Sequence, residues 1–238
     1  MNNTITIAWR EFRAYFLSPI AYVYLTAFLV AVNWLFFRGF FIIGKADMRI
    51  FFEMMPWIFL FLVPAVTMGK WAEERRQGTL ETLMTLPVSD SHVVLGKFLA
   101  GLWLVASALA LTWPAAITVW FVGNLDWGPV IGGYAGALLL GGSCLALGLC
   151  VSSLTRSQIV AFVGGVAAIF VLLIVGSPLV IGGAGTPLTR LLGYSSLGTH
   201  FVSISRGVID SRDVLYYLSF MGFFLFLNLV ITKSKARG

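Results

Sequence analysis

Charge is scarce in this sequence. Only 11% of its 238 residues are Asp, Glu, Lys or Arg, and 59% are hydrophobic, against about 25% charged and 45–50% apolar in a soluble domain. With a mean hydropathy of +0.92, a soluble fold could not hide the apolar surface, so lipid is the solvent this composition requires. At roughly 20 residues per crossing, the length allows five to seven spans.

Other absences narrow the function. There are two cysteines, Cys144 and Cys150, both inside an apolar run and with neither CxxC nor metal-ligand spacing; they read as small buried hydrophobes. No phosphate-cradling GxxxxGK[ST] loop is present, since Gly69-Lys70 is followed by Trp71 and Gly96-Lys97 by Phe98. Without that motif, and without a soluble stretch long enough for a nucleotide-binding domain, no cofactor is expected on this chain. The net charge is +6, but no basic run with interleaved aromatics marks a nucleic-acid groove, so no nucleic-acid partner is expected. No A-x-A site follows the first apolar run, which is also too long for a cleavable signal.

What is there is a succession of apolar segments. Ile5, Trp9, Phe12 and Phe16 recur at helical spacing with Arg10, Glu11 and Arg13 between them, which predicts an amphipathic helix over 1–18 lying on the membrane surface. Spans are predicted at 20–43, 51–69, 97–122, 129–151, 158–181 and 214–231. Pro56 and Pro64 fall inside the second, where neighbouring helices can satisfy the freed carbonyl. The fourth carries Gly128, Gly132 and Gly136 on one track and Gly133, Ala137 and Gly141 on the next, so a helix backbone can approach closely, within the subunit or between subunits. The segment 186–212 reads as two short extracytoplasmic helices, with Leu188, Leu191 and Leu192 on one face and Phe201, Ile204 and Val208 on another. The expected fold class is all-α: one polytopic transmembrane domain over 1–238.

Lys and Arg set the orientation. With the N-terminus inside, the inner segments hold Arg10, Arg13, Lys70, Arg75, Arg76, Lys97, Arg156, Lys233, Lys235 and Arg237, which is ten. The outer side holds Arg38, Lys45, Arg49, Arg190, Arg206 and Arg212, which is six. Both termini are therefore expected in the cytoplasm, with six spans in a bacterial-type inner membrane. Lys70 and Lys97, at the inner ends of their spans, read as interfacial anchors, and Arg38 can snorkel at the outer end.

The longest polar segment of the first half, 73–92, carries the functional signal. Glu73, Glu74, Arg75 and Arg76 continue span two as a charged helix, and Gly78 can end it in a left-handed conformation. Thr79 can cap a new helix, with Glu81 in its first turn. Leu80, Leu83 and Met84 then share a face, and Pro87 stops the helix. Two readings are open on physics alone: a short amphipathic helix offered to a socket in a soluble partner, or a hairpin lying on the headgroups.

The run Glu74-Arg75-Arg76-Gln77-Gly78-Thr79-Leu80-Glu81-Thr82-Leu83-Met84-Thr85-Leu86-Pro87-Val88-Ser89, followed by Val93-Val94-Leu95-Gly96-Lys97, resembles the cytoplasmic segment of type-2 ABC exporter permeases, and more closely their gliding-motility-like branch. Gly198-Thr199-His200-Phe201 through Ser205-Arg206-Gly207-Val208-Ile209-Asp210-Ser211-Arg212-Asp213 resembles the stretch before that branch's last span. The resemblance implies a permease that dimerises with itself or a related chain and docks a separate cytoplasmic ABC ATPase, which holds ATP and Mg. It implies ATPase coupling through Glu74, Arg75, Arg76, Gly78, Thr79, Leu80, Glu81, Leu83, Met84 and Pro87, and leaves room for an accessory subunit beside the lipid. No substrate ligand can be named from it.

Two other classes compete. A secondary transporter or channel usually places ionisable groups at mid-membrane, and the predicted spans have none near their centres. An intramembrane enzyme is suggested by Glu73-Glu74, which resembles the Glu pair of certain membrane proteases; the Arg those proteases carry four residues after the second Glu is Gly78 here. His92 and His200 are expected on opposite sides of the membrane. The chain itself is not expected to be an enzyme.

Overall fold

The computed structural model describes residues 3–45, 47–78, 89–177, 180, 192–208 and 210–236. Among these residues there is no strand. The helices are α1 (Asn3–Leu17), α2 (Pro19–Ile43), α3 (Arg49–Glu53), α4 (Met55–Thr67), α5 (Gly69–Arg76), α6 (Asp90–Leu111), α7 (Trp113–Val122), α8 (Trp127–Leu154), α9 (Gln158–Ile174), α10 (Leu197–Ser205) and α11 (Ser211–Ala236). Among the described residues, five continuous helical stretches are long and apolar enough to cross a membrane: Pro19–Ile42, Met55–Arg76, Asp90–Val122, Trp127–Leu154 and Ser211–Lys235. The fifth predicted span, 158–181, is described as α9, whose 17 residues stand at the short limit of a bilayer crossing. The chain is an all-helical, multi-pass membrane protein.

Local chemistry sets the helix ends. Pro19 opens α2 behind an extended Ser18, and Gly44, at φ +64°, closes it. The Asp126 carboxylate accepts from the Gly128 amide at the start of α8, satisfying one of the donors a helix leaves unpaired. Pro114 cannot donate to the carbonyl of Ala110, so the third span is split at Thr112. That hydroxyl donates back to the Leu109 carbonyl at 2.7 Å and lies 3.0 Å from the Tyr134 hydroxyl of α8.

Several boundaries differ from those expected. The second span begins after a break at Met54 and runs on to Arg76, because Lys70, Glu73 and Glu74 find partners inside the protein. The third starts at Asp90 rather than Lys97 for the same reason: Lys97 is 2% exposed. Helix α9 gives way to a turn at Val175. Of the two helices expected in 186–212, α10 buries Phe201 and Ile204 while Val208 is exposed; Leu188 and Leu191 lie outside the described residues.

Helix α8 is the axis of the bundle. It packs against α4, α6, α9, α10 and α11, whereas α2 and α11 turn Tyr22, Trp34, Leu215 and Phe226 outward. The small-residue tracks serve these internal contacts. A Cβ on Gly132 would lie 2.7 Å from the Ile204 carbonyl oxygen, and one on Gly133 would overlap the Phe52 ring. At the other end of α8, a Cβ on Gly148 would overlap Thr67 of α4. Gly148→Val should therefore push α4 from α8 at a cost of about 1–3 kcal/mol, seen as a lower Tm in detergent and partly restored by Thr67→Gly. An unchanged Tm would mean the two helices are not in contact there.

Away from the Gly148 end, α10 is fastened to the first turns of α11. His200 holds Asp213 Oδ1 at 2.7 Å through Nδ1 and the Tyr194 carbonyl at 3.0 Å through Nε2. Its ring stacks on Tyr216 with centroids 3.9 Å apart. The Tyr217 hydroxyl donates to the Leu197 carbonyl at 2.7 Å.

Candidate functional site

The opposite end of the bundle gathers α1, the end of α5, the start of α6, the α8–α9 loop and the end of α11. Helix α1 reaches it by lying along α6. A Cβ on Gly96 would stand 2.6 Å from Ile7 Cγ2, so only glycine admits this approach. Thr4 Oγ1 is 2.6 Å from His92 Nδ1, and Phe12 and Trp9 pack edge-on against Trp103. The buried positions of α1 are Ala8 and Tyr15, with Glu11 between them on the same side. Ile5 and Trp9, expected to mark the apolar face, are about half exposed at 50% and 54%, as suits side chains turned to lipid.

Glu11 is the pivot of a four-member ion cluster. Its Oε2 accepts from Lys70 Nζ of α5 at 3.1 Å and its Oε1 from Lys97 Nζ of α6 at 3.3 Å. Lys97 also donates to Glu74 Oε1 at 2.5 Å. Lys70 lies 3.8 Å over the Tyr15 ring and Lys97 5.1 Å from that of Trp71, contacts that stabilise partly desolvated ammonium groups. Charges alternate along the chain Lys70–Glu11–Lys97–Glu74 and sum to zero, which is how buried charge becomes tolerable. Burial pushes the Glu11 carboxyl up, but the charges and hydrogen bonds of Lys97 and Lys70 outweigh it and hold the group at about 2, below its ordinary 4.5.

Helix α5 is also bolted to α8. The Ser152 hydroxyl accepts from the Trp71 and Ala72 amides at 3.2 and 3.3 Å and donates to the Met68 carbonyl at 2.9 Å. It thereby satisfies the backbone at the α4–α5 joint. Arg75 donates to the Ser153 carbonyl at 3.1 Å. Glu73 accepts from Arg76 and Gln77, each at 2.6 Å, and from Gln158 of α9 at 2.5 Å. Gly78 follows at φ +71°, the left-handed turn expected of it.

The placement of the predicted residues is therefore mixed. Glu74 and Arg75, expected to reach outward to a partner, have partners within the chain. Arg76, with its side chain 68% exposed, faces solvent. Lys97 is a buried ion-pair member and Lys70 a partly buried one, rather than free interfacial anchors. Thr79, Leu80, Glu81, Leu83, Met84 and Pro87 lie outside the described residues. Glu11, Ser152 and Gln158 are the residues that sequence reasoning missed. Glu11 shares a helical face with Ala8 and Tyr15, a signal obscured by the arginines flanking it. His92 and His200 lie at opposite ends of the bundle, and among the described residues no three His, Cys, Asp or Glu side chains gather where a metal could be held.

This arrangement ties one charged helix end to the interfacial helix and to three spans, which suits the transmission of force more than chemistry. Residues 40–193 match the family described as ABC-2 family transporter protein, a stretch that includes α4 to α9 and the 73–92 segment. No curated protein matches the chain. The chain belongs to the ABC-2 family of transporter proteins, as a membrane-spanning permease subunit of an ABC transporter.

Proposed function

We propose that this permease is an exporter subunit of the gliding-motility-like branch, working as a dimer of itself or with a related chain. A separate cytoplasmic ABC ATPase drives it through segment 73–92. The observation that carries this reading is the double anchorage of α5, through Ser152 to α8 and through Glu74, Lys97 and Glu11 to α6 and α1. A displacement imposed on Gly78 by closing ATPase subunits reaches those helices together. The Lys/Arg asymmetry supports a cytoplasmic location for this end and for both termini. ATP and Mg belong on the partner, since no phosphate-binding loop stands in this sequence. An accessory subunit is compatible with the outer insertion.

Isolation of the tagged chain from its own membranes in mild detergent tests the proposal. Native mass spectrometry should show two permease subunits with an ABC ATPase, and the purified chain alone should turn over no ATP. Glu81→Lys and Leu83→Asp should each lower ATPase recovery while leaving the permease inserted, because removing one partner of a desolvated interface charge costs about 2–5 kcal/mol. Wild-type recovery in both variants would place the coupling contact elsewhere, and turnover by the lone chain would overturn the reading.

A further inference from the structure

At the end of the bundle away from the ion cluster, a cavity of about 460 Å³ opens between α3, the start of α4, the end of α9 and α10. Leu173 and Phe201, both buried, give it an apolar floor. Glu53, the last residue of α3, and Arg206, directly after α10, stand on its walls. Among the described residues no hydrogen bond or ion pair engages either side chain. Close packing fixes the walls. A Cβ on Gly176, just past α9, would overlap Ser196 at the start of α10, and one on Gly207 would stand 2.9 Å from the Pro129 nitrogen of α8. Arg206 therefore extends from a backbone with little room to shift.

Solvated charges need no partner, so the setting of these two decides their meaning. Glu53 stands two residues before the second candidate span, which opens at Met55, and Trp57, in the first turn of that span, is 51% exposed. Tryptophan concentrates where headgroups meet acyl chains, so the cavity lies at headgroup depth. Its volume is that of a small-ligand site, and it joins a carboxylate, a guanidinium and an exposed indole to an apolar floor. An anionic headgroup would be repelled by Glu53. A choline headgroup has no N–H to donate to that carboxylate. A soluble zwitterion would leave Leu173, Phe201 and the outward-facing Val202 in contact with water. A primary ammonium, a phosphate and an acyl chain on one molecule match all of these groups.

We propose that this cavity binds a phospholipid of the ethanolamine type from the adjacent leaflet. Arg206 donates to the phosphate, a charge-assisted contact that suits a guanidinium. Glu53 accepts from the ammonium, which also lies against the Trp57 ring. The first acyl segment runs along Leu173, Phe201 and Val202. The Ser177 hydroxyl on the same wall is buried without a hydrogen-bond partner, an arrangement that a phosphate oxygen in the cavity would relieve. Lipid held in this way ties α3 and α4 to α10. The site is separate from the 73–92 segment and depends neither on an ATPase partner nor on which side of the membrane this end faces.

The test follows the first lipid bound by the full chain in detergent, by native mass spectrometry, with dioleoyl phosphatidylethanolamine and dioleoyl phosphatidylglycerol as probes. Wild type should hold the ethanolamine lipid about tenfold more tightly than the glycerol lipid. Glu53→Gln should erase that preference, since it removes the group that accepts from the ammonium and repels the anion. Arg206→Gln should weaken both lipids about tenfold. Both side chains are exposed, so the Tm of each variant should stay at wild type; should it fall, the wild-type comparison decides, since it needs no variant. Equal affinity of wild type for the two lipids overturns the proposal. So does a preference that survives Glu53→Gln, or unchanged binding in Arg206→Gln. Phosphoethanolamine added in excess should not displace the lipid. Displacement would identify a soluble zwitterion as the occupant and overturn the assignment to lipid.

Discussion

Lys97→Met should release α1 from the bundle and be the most damaging single change in the ion cluster. Lys97 is 2% exposed and serves two carboxylates, Glu11 and Glu74. Methionine preserves length and apolar contact but removes the cation that stands between the Glu11 and Glu74 carboxylates. Breaking a buried pair from one side costs about 3–5 kcal/mol, chiefly because the remaining charge stays desolvated. The expected results are a Tm well below wild type and rapid proteolysis within residues 3–17. Adding Glu74→Gln to Lys97→Met should recover part of the loss, since it removes one of the two carboxylates that Lys97 serves. Lys97→Met with a wild-type Tm and a protected α1 would show that the cluster does not hold the helix.

The same cluster dictates a pH dependence. Glu11 is held at about 2 when α1 is docked, against 4.5 in water. A depressed carboxylate contributes stability that is fully present above the undocked value and is lost as pH falls from 4.5 through about 2. The interval corresponds to an upper bound of about 3 kcal/mol. Acidification should therefore loosen α1 in that window and leave it docked at neutral pH. Glu11→Gln should be weaker at pH 7 and nearly flat across the acid range, as read by protease sensitivity of α1.

How far the sequence carried depends on what kind of contact each residue makes. Lipid-facing runs are legible because every position obeys one rule, so the helical, multi-pass fold came through, and long apolar helices coincide with the first, fourth and last predicted segments to within a few residues. The inner ends of spans two and three did not. Hydropathy ends a span at the first lysine, yet Lys70 and Lys97 continue their helices because Glu11, far away in sequence, neutralises them. A charge's partner cannot be read from its own neighbourhood. The glycine tracks of α8 were legible as close packing, but whether they served one subunit or two was not; a Cβ on Gly133 would overlap Phe52 and one on Gly132 would stand 2.7 Å from the Ile204 carbonyl oxygen, so these two positions pack within the subunit. Ser152 was invisible for a different reason. One hydroxyl in a loop-like Ser152-Ser153 pair gives no hint that it satisfies two amides and a carbonyl of another helix.

Gly78→Val should uncouple the ATPase from the permease without unfolding the permease. Gly78 has φ +71°, and among the described residues an added Cβ would meet no atom within 4 Å, so the expected effect is one of backbone conformation. An L-residue in the left-handed region loses roughly 1–2 kcal/mol, and a β-branched one more. The chain can escape that strain by continuing α5 past Gln77, which would swing the following 79–88 stretch away from its direction of exit. The bonds upstream, Glu74 to Lys97 and Ser152 to the α5 amides, are untouched, so the Tm of the bundle should stay at wild type. The ATPase turnover stimulated by the permease in the assembled complex should fall by about tenfold, the factor that 1–2 kcal/mol commands. Gly78→Asn is the control, since asparagine tolerates positive φ and should keep most of the activity. Equal turnover in the valine and asparagine variants would show that the turn geometry does not aim the coupling segment. A fall in both, with the ATPase still bound, would point to contact made by the glycine surface itself.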